Sequence, residues 1–150
     1  MATDGHHDLS KGQTGRSTQI EGMKGGKTDL ADLNPVTEKI IGCAYTVSNT
    51  LGAGFLEKVY ENALAHELRK IGLRVTQQHP VRVEYDGVLV GEYFADLLVE
   101  DCIVVELKAV KVLDEAHWAQ CLNYLKATGL RLCLLLNFGK PRVEIKRIAL

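Results

Sequence analysis

The chain has 150 residues, of which 46% are hydrophobic and 25% are charged, and its net charge is −1. This composition is typical of one soluble globular domain. Residues 34–150 contain 14 basic and 14 acidic residues, so the basic excess of most nucleic-acid-binding proteins is missing. Contact with a phosphate backbone would therefore require a local basic patch or bound cations. The longest uncharged stretch, residues 40–56, is too short and too polar to span a bilayer, and no secretory signal precedes it. We expect no membrane partner and a cytoplasmic protein.

The first 33 residues have the composition of a disordered tail. They hold six of the 14 glycines and show no apolar periodicity, and such a segment buries too little apolar surface to fold. We therefore expect the folded domain to cover residues 34–150. Asn34 is a candidate N-cap with Pro35 at the first helical position, and the pair predicts a helix over residues 36–50.

A second helix is predicted over residues 55–71. Its apolar residues repeat at helical spacing and form one stripe, which consists of Leu56, Val59, Tyr60, Ala63, Leu64, Leu68 and Ile71. Gly72 follows at the position where a glycine commonly ends a helix.

Beyond Gly72 the pattern changes to short segments rich in Val, Leu and Tyr, which predict strands. The expected elements are strands at residues 73–78, 81–86, 88–99 and 102–109, a third helix at 114–128, and strands at 131–137 and 142–148. Asp86-Gly87 is a hairpin signal, and Gly129 ends the third helix. This order predicts the α/β class, with a mixed sheet flanked by helices on both sides.

Three charged residues lie inside two apolar strands of this prediction. Glu106 and Lys108 alternate with Leu107 and therefore point to the same face of the sheet, while Asp96 is a single carboxylate in the preceding strand. A short turn at residues 100–101 makes the two strands antiparallel neighbours, and it places Asp96 opposite Glu106 to within one residue. The simplest alternative is a Glu106–Lys108 ion pair on a half-exposed face of the sheet.

Two buried carboxylates at this separation require a compensating charge. At about 4 Å and an effective dielectric constant near 20, they would repel each other by roughly 4 kcal/mol. Lys108 supplies one positive charge, and a divalent cation would supply more, with carboxylate, carbonyl and water oxygens suiting Mg²⁺. A metal held there can orient and acidify a water molecule for attack on a phosphodiester. Lys108 would position or deprotonate that water and stabilise the developing negative charge.

Other polar residues lie on the predicted helices. In the third helix, Gln120 and Tyr124 are four residues apart and share a face, together with His117. The alternative is that Tyr124 belongs to the core and Gln120 to the surface. In the second helix, Glu57 lies in the first turn, where a carboxylate interacts favourably with the helix dipole whether or not it has a function.

These residues together resemble a known family. The motif Gly54-x-x-Glu57-x-x-Tyr60 resembles the signature of the GxxExxY family, which belongs to the PD-(D/E)xK nuclease superfamily. The similarity covers about residues 36–150 and continues through Gln78, residues 94–99, residues 105–109, residues 120–125 and residues 137–139. The combination is specific, whereas Glu-x-Lys alone would be a weak signal.

The resemblance implies a restriction-endonuclease-like fold and a metal-dependent nuclease site. Asp96 and Glu106 would match the metal-binding carboxylates of the family, and Lys108 would match its catalytic lysine. Glu57 would match the helical glutamate that completes the metal site in many members.

The resemblance extends to a substrate element and includes two departures. Gln120 and Tyr124 match the Gln-x-x-x-Tyr element of the RecB-like branch, which is associated with substrate contact or support of the site. Family members often have His where this chain has Ser48, and Gly-Pro-Gly where it has Gly52-Ala53-Gly54. Neither departure touches the catalytic set.

The cysteines are a separate question, since some nucleases of this superfamily carry a four-cysteine iron–sulfur cluster. Cys43, Cys102, Cys121 and Cys133 form no CxxC pair, and each lies in an apolar stretch. This spacing favours buried reduced thiols, and a disulfide framework is not expected in an intracellular protein.

The resulting hypothesis is Mg²⁺-dependent hydrolysis of DNA phosphodiester bonds, with Mn²⁺ as a substitute cofactor. The alternative is a catalytically silent nuclease fold that binds a nucleic acid or a protein partner, which the near-neutral charge favours and the intact Asp96, Glu106 and Lys108 oppose. A structural subunit of an oligomer, such as a homodimer, is a third reading. The sequence leaves open DNA versus RNA, strandedness and oligomeric state.

Overall fold

The computed structural model describes residues 29–150. Its helices and strands are α1 (Asn34–Leu51), α2 (Glu57–Lys70), β1 (Val75–Tyr85), β2 (Val88–Val99), β3 (Ile103–Lys108), α3 (Glu115–Thr128), β4 (Leu132–Asn137) and β5 (Glu144–Ala149). The strands form one sheet in the order β1-β2-β3-β4-β5. Only β3 and β4 are parallel, and the other neighbours are antiparallel. Within the described residues, no helix combines the length and the hydropathy needed to cross a bilayer.

Helices cover both faces of the sheet. Residues of α1 and α2 pack with one face in a large hydrophobic cluster, and residues of α3 pack with the other face in a smaller one. The central strands β3 and β4 are buried along almost their whole length, as expected for strands covered on both faces. The predicted α/β architecture, a mixed sheet flanked by helices, is confirmed.

The fold begins earlier than the sequence predicts. A short 3₁₀ helix, Leu30–Leu33, precedes α1, and Leu33 is fully buried in the larger cluster. Asn34 is the first residue of α1 rather than its N-cap, and its side chain accepts a hydrogen bond from Arg147 (3.0 Å). The predicted tail is therefore wrong for residues 29–33, and its remainder lies outside the described residues.

The predicted strands at 73–78 and 81–86 are one continuous strand, β1. Pro80 looks like a strand break in the sequence, and in the structure Gln78, two residues before it, has a positive φ of 55°. However, β1 lies at the edge of the sheet, with β2 as its only neighbour among the described strands, and an edge strand tolerates a proline. The order of elements therefore contains three strands before α3 instead of four.

Local turn signals are confirmed, whereas the apolar stripe of α2 is narrower than predicted. Asp86 and Gly87 both have positive φ angles (55° and 77°), as a type I′ hairpin turn requires. In α2, Tyr60, Leu64 and Leu68 are fully buried. The outer stripe residues are exposed, namely Leu56, Val59 and Ile71.

The four cysteines are free and buried. Cys43 and Cys102 belong to the cluster under α1 and α2, whereas Cys121 and Cys133 belong to the cluster under α3. Because the sheet separates the two pairs, the four thiols cannot ligate one iron–sulfur cluster. The prediction of buried free thiols is confirmed.

Candidate active site

The site begins where the ladder between β2 and β3 ends. Leu97 is the first residue of β2 that pairs with β3, opposite Val105, and the same register extended by one residue places Asp96 opposite Glu106. The predicted opposition of these carboxylates is confirmed. The strand is also irregular here, because Ala95 and Leu97 belong to clusters on opposite faces of the sheet, whereas regular alternation would place them on one face.

Each of the two carboxylates takes the place of a backbone acceptor. The N–H of Asp96 donates to Oε2 of Glu106 (2.9 Å), and the N–H of Leu107 donates to Oδ2 of Asp96 (2.8 Å). Side-chain oxygens thus satisfy backbone donors at the point where the two strands separate. Both carboxylates are consequently fixed by the backbone of the opposite strand.

Glu106 is buried, with 3% of its surface exposed. This burial, and after it the charge of Asp96, raises the pKa of Glu106 to about 9, although the Asp96 N–H and the Lys108 charge act in the opposite direction. Burial also raises the pKa of Asp96, against the lowering effect of the Leu107 N–H. The raised pKa values show that the positive charge near the two carboxylates is too small to keep both ionised. Glu106 is therefore protonated at neutral pH unless a cation binds beside it.

Lys108 is the last residue of β3 and is half-buried. Its charge lowers the pKa values of Glu106 and Cys121, which places it within electrostatic reach of the α3 side of the sheet. Within the part of the chain that the structure describes, no salt bridge joins Lys108 to a carboxylate. The alternative of a Glu106–Lys108 ion pair is therefore wrong.

Gln120 and Tyr124 face the same region from α3. The Gln120 amide donates to the Tyr124 hydroxyl (3.0 Å), which confirms that they share a face. Tyr124 is buried, and burial followed by the charge of Glu106 raises its pKa to about 12. Tyr124 is thus both a core residue and a neighbour of Glu106. His117 instead caps α3, since its Nδ1 accepts from the Asp114 N–H (3.2 Å).

The loop before α2 is held by Tyr60. Its hydroxyl donates to the carbonyl of Gly52 (2.6 Å) and accepts from the N–H of Phe55 (3.1 Å). Its ring stacks on Phe138 with the centroids 4.8 Å apart. Gly54 has a φ of 116°, which an L side chain rarely adopts. The tyrosine and the glycine of the motif therefore set the path of the chain into α2.

Glu57 is the first residue of α2, and its side chain is exposed. It makes no hydrogen bond or salt bridge within the described residues, but its charge raises the pKa of Asp96. Glu57 is therefore within electrostatic reach of Asp96 without a hydrogen bond to it.

The sequence of residues 34–148 matches the family model of the PD-(D/E)XK nuclease superfamily. The chain belongs to this superfamily. No curated protein and no solved structure matches it. The five-stranded mixed sheet flanked by helices is consistent with the restriction-endonuclease-like fold of the PD-(D/E)XK superfamily, and Glu106-Leu107-Lys108 fits its (D/E)-x-K element. Membership indicates a nuclease-like protein with a nucleic-acid substrate, in a superfamily that generally uses divalent metal ions.

The two strand carboxylates have the chemistry to bind a divalent cation. Oε1 of Glu106 accepts no hydrogen bond from the described residues, and Oδ1 of Asp96 has only a long contact with the Gln78 amide (3.4 Å). Across residues 29–150, no group of three or more His, Cys, Asp or Glu side chains is arranged to hold a metal. Mg²⁺ does not require such a group, because one or two carboxylates, water and substrate phosphates commonly complete its shell.

The sequence analysis missed Glu61, which lies one turn after Glu57 and is buried. Its carboxylate accepts hydrogen bonds from Gln77, Gln78 and Lys58 (2.8, 2.8 and 3.0 Å), and its charge raises the pKa of Asp96. The Gln78 amide lies between the Glu61 and Asp96 carboxylates. A charged residue beside the buried Tyr60 and Leu64 was the available signal, and the resemblance already included Gln78.

Proposed function

We propose that this protein is a metal-dependent nuclease that hydrolyses DNA phosphodiester bonds. The opening between β2 and β3 supports the proposal most strongly. There, two carboxylates are held by backbone N–H groups, with oxygen atoms left for a ligand, and the nearby Lys108 forms no ion pair with residues 29–150. Buried acids in such an arrangement are costly unless they bind a cation.

Asp96 and Glu106, with Glu57 from α2, would hold Mg²⁺ or Mn²⁺. When bound, the divalent cation supplies polarisation of the phosphate and a lower pKa for the attacking water. The protein would bind it in competition with protons, because the Glu106 pKa is raised to about 9. The two backbone N–H bonds keep both carboxylates in place before the cation arrives.

Lys108 and the α3 pair would act on the substrate. Lys108 donates a hydrogen bond to the attacking water or to the phosphate, where negative charge increases in the transition state. Because the Tyr124 hydroxyl accepts from Gln120, its own proton remains available to a substrate oxygen. The attacking water releases a proton to solvent as its oxygen bonds to phosphorus, the P–O bond to the leaving oxygen breaks, and the leaving oxygen takes up a proton from solvent.

We also propose the finer assignment to the GxxExxY family within the RecB-like branch. Gly54, Glu57 and Tyr60 support it, since Tyr60 and Gly54 shape the loop that leads to Glu57. The Gln120–Tyr124 hydrogen bond supports the Gln-x-x-x-Tyr element of that branch.

The test is cleavage of single- and double-stranded DNA and RNA with Mg²⁺, with Mn²⁺ and with a chelator. Glu106→Gln and Lys108→Ala are each expected to reduce cleavage by at least about 100-fold. Glu38→Gln and Lys39→Ala are matched controls, since both residues are exposed on α1, and they should cleave normally. Undiminished cleavage by the site variants, or cleavage in chelator, contradicts the proposal.

A catalytically silent nuclease fold that binds a nucleic acid or a protein is the second candidate. It is favoured by the position of Glu57, which is exposed and touches neither Asp96 nor Glu106. Nucleic-acid binding that is equal in the wild type and the Glu106→Gln variant, without cleavage under any metal condition, would support it.

A further inference from the structure

A cleft runs between α3 and the hairpin formed by β1 and β2. It contains two open cavities of about 470 and 890 Å³, which share Val83, Tyr93 and Asn123 in their walls. The smaller cavity is also lined by Gln120 and Tyr124. The cleft is therefore continuous with the α3 side of the candidate active site.

The larger cavity carries local positive charge. Arg82, Lys126 and His79 line it, together with one carboxylate, that of Glu84. Arg82 and Lys126 are exposed, and neither forms a salt bridge or a side-chain hydrogen bond with another described residue. Because basic and acidic residues balance over residues 34–150, two cations against the single carboxylate of Glu84 in one groove favour an anionic chain as its occupant.

The smaller cavity offers a surface for a planar ring. Tyr93 is 55% exposed, and its ring lies 6.2 Å from that of Tyr124, centroid to centroid. An exposed aromatic face beside a cationic groove is the usual platform for an unpaired base. The side chains of Gln120 and Asn123 line the same cavity and can form hydrogen bonds with the edge of a base.

We propose that this cleft binds a single-stranded segment of the nucleic-acid substrate, with a base stacked on Tyr93 and phosphates at Arg82 and Lys126. The inference rests on the proposed function, because the cleft ends at the Gln120–Tyr124 pair of that site. The inference adds where the single-stranded nucleic acid lies on the protein and names three residues outside the metal site that bind this nucleic acid.

The edge of β1 is poorly suited to the main alternative occupant, an extended peptide added as a further strand. Pro80 lacks a backbone donor, Gln78 has a positive φ, and the register shifts between Val83 and Glu84. A peptide strand needs a regular row of backbone donors and acceptors, and β1 does not provide one along this cleft.

The test is binding of a short fluorescein-labelled single-stranded DNA and of the matched duplex, followed by anisotropy. The parent is the full chain with Lys108→Ala, in Mg²⁺, so that the probe stays intact. Tyr93→Ala should weaken single-strand binding at least about fivefold. Arg82→Ala and Lys126→Ala should each lower the slope of log affinity against log salt by about 0.7, the contribution of one phosphate contact on a single strand.

Two matched controls keep the test specific. Tyr85→Ala removes a tyrosine that is 74% exposed next to the hairpin turn, outside the cleft walls, and Lys39→Ala removes an exposed lysine of α1. Both should bind like the parent. All of these side chains are exposed, so thermal unfolding should show that each variant folds.

The proposal is overturned if the three cleft variants bind like the parent, if the controls weaken binding equally, or if the duplex binds more tightly than the single strand. The absence of any DNA binding overturns it as well. If the wild type cleaves DNA only with metal and the cleft variants bind DNA normally, the nuclease proposal is supported and the cleft proposal is contradicted. If only the cleft variants lose DNA binding and the wild type does not cleave DNA, the cleft proposal is supported and the nuclease proposal is contradicted.

Discussion

The two faces of the sheet differ in how many hydrophobic residues they bury. Among residues 29–150, the face under α1 and α2 belongs to a cluster of twenty buried hydrophobic residues, whereas the face under α3 belongs to a cluster of ten. The thinner side is where Glu106, Gln120 and Tyr124 meet and where the cleft opens. The comparison teaches that one face supplies most of the apolar burial while the α3 face keeps room for polar groups, with Glu57 and Glu61 approaching Asp96 from α2. Each of the following changes tests this division.

The sharpest test compares two adjacent leucines of β4. Leu134 belongs to the larger cluster and Leu135 to the smaller one, and Leu135 pairs with Glu106 across β3 and β4. Each Leu→Ala change should lower the free energy of unfolding by about 2–5 kcal/mol, measured in urea. Cleavage per folded molecule should fall several-fold for Leu135→Ala and remain unchanged for Leu134→Ala. The opposite pattern would show that the two faces do not divide stability and function.

The second test uses pH in the metal-free protein. The pKa of Glu106 is raised from an ordinary value of 4.5 to about 9, so the folded state binds this proton more tightly than the unfolded state. The associated stability is complete below the lower value and is lost as pH rises towards the higher one, by at most about 1.4 kcal/mol per pH unit. Thermal unfolding in chelator across this range should show the loss, and Glu106→Gln should reduce it. An unchanged slope in the variant would exclude Glu106 as its source.

The third test loosens the loop before α2. Tyr60→Phe removes the hydroxyl that bonds Gly52 and Phe55 but keeps the ring on Phe138. The free energy of unfolding should fall by about 1–3 kcal/mol, and cleavage should fall with it if this loop positions Glu57. Tyr45→Phe is the control, because the Tyr45 hydroxyl makes no hydrogen bond with the described residues. Equal effects of the two variants would refute a positioning role.

The smallest effect is expected at Ser48, where family members often have His. The Ser48 hydroxyl accepts from the N–H of Val143 (3.0 Å), in a buried position. Ser48→Ala leaves that N–H unpaired and should lower the free energy of unfolding by about 1–2 kcal/mol. Because the contact joins α1 to the segment before β5, cleavage should not change. A loss of cleavage without a loss of stability would indicate a substrate role for Ser48 instead.

The sequence predicted the features that depend on neighbouring residues. The Asp86-Gly87 turn and the end of α3 at Gly129 follow from backbone conformations that few residues adopt, so local sequence is sufficient to place them. The position of Asp96 opposite Glu106 was equally accessible, because a short turn fixes the register of the two strands.

Features that depend on tertiary contacts were not accessible from the sequence. Pro80 reads as a strand break, and only the edge position of β1 makes it tolerable. Glu61 reads as a surface residue of α2, and its burial depends on amide groups of Gln77 and Gln78 in a distant strand. The exposure of Leu56 and Ile71 depends likewise on where α2 meets the sheet.

The turn between β2 and β3 has a consequence for how this site can vary. Glu100 and Asp101 both have positive φ angles (53° and 56°), and the Cys102 N–H closes the turn on the Val99 carbonyl (3.1 Å). A turn this short cannot accommodate an inserted or deleted residue without changing the register of the two strands. A one-residue change in its length would slide one strand along the other and turn one of the two acids towards the wrong side of the sheet. Substitutions can therefore accumulate around the centre, but the number of residues in this connection has to stay constant.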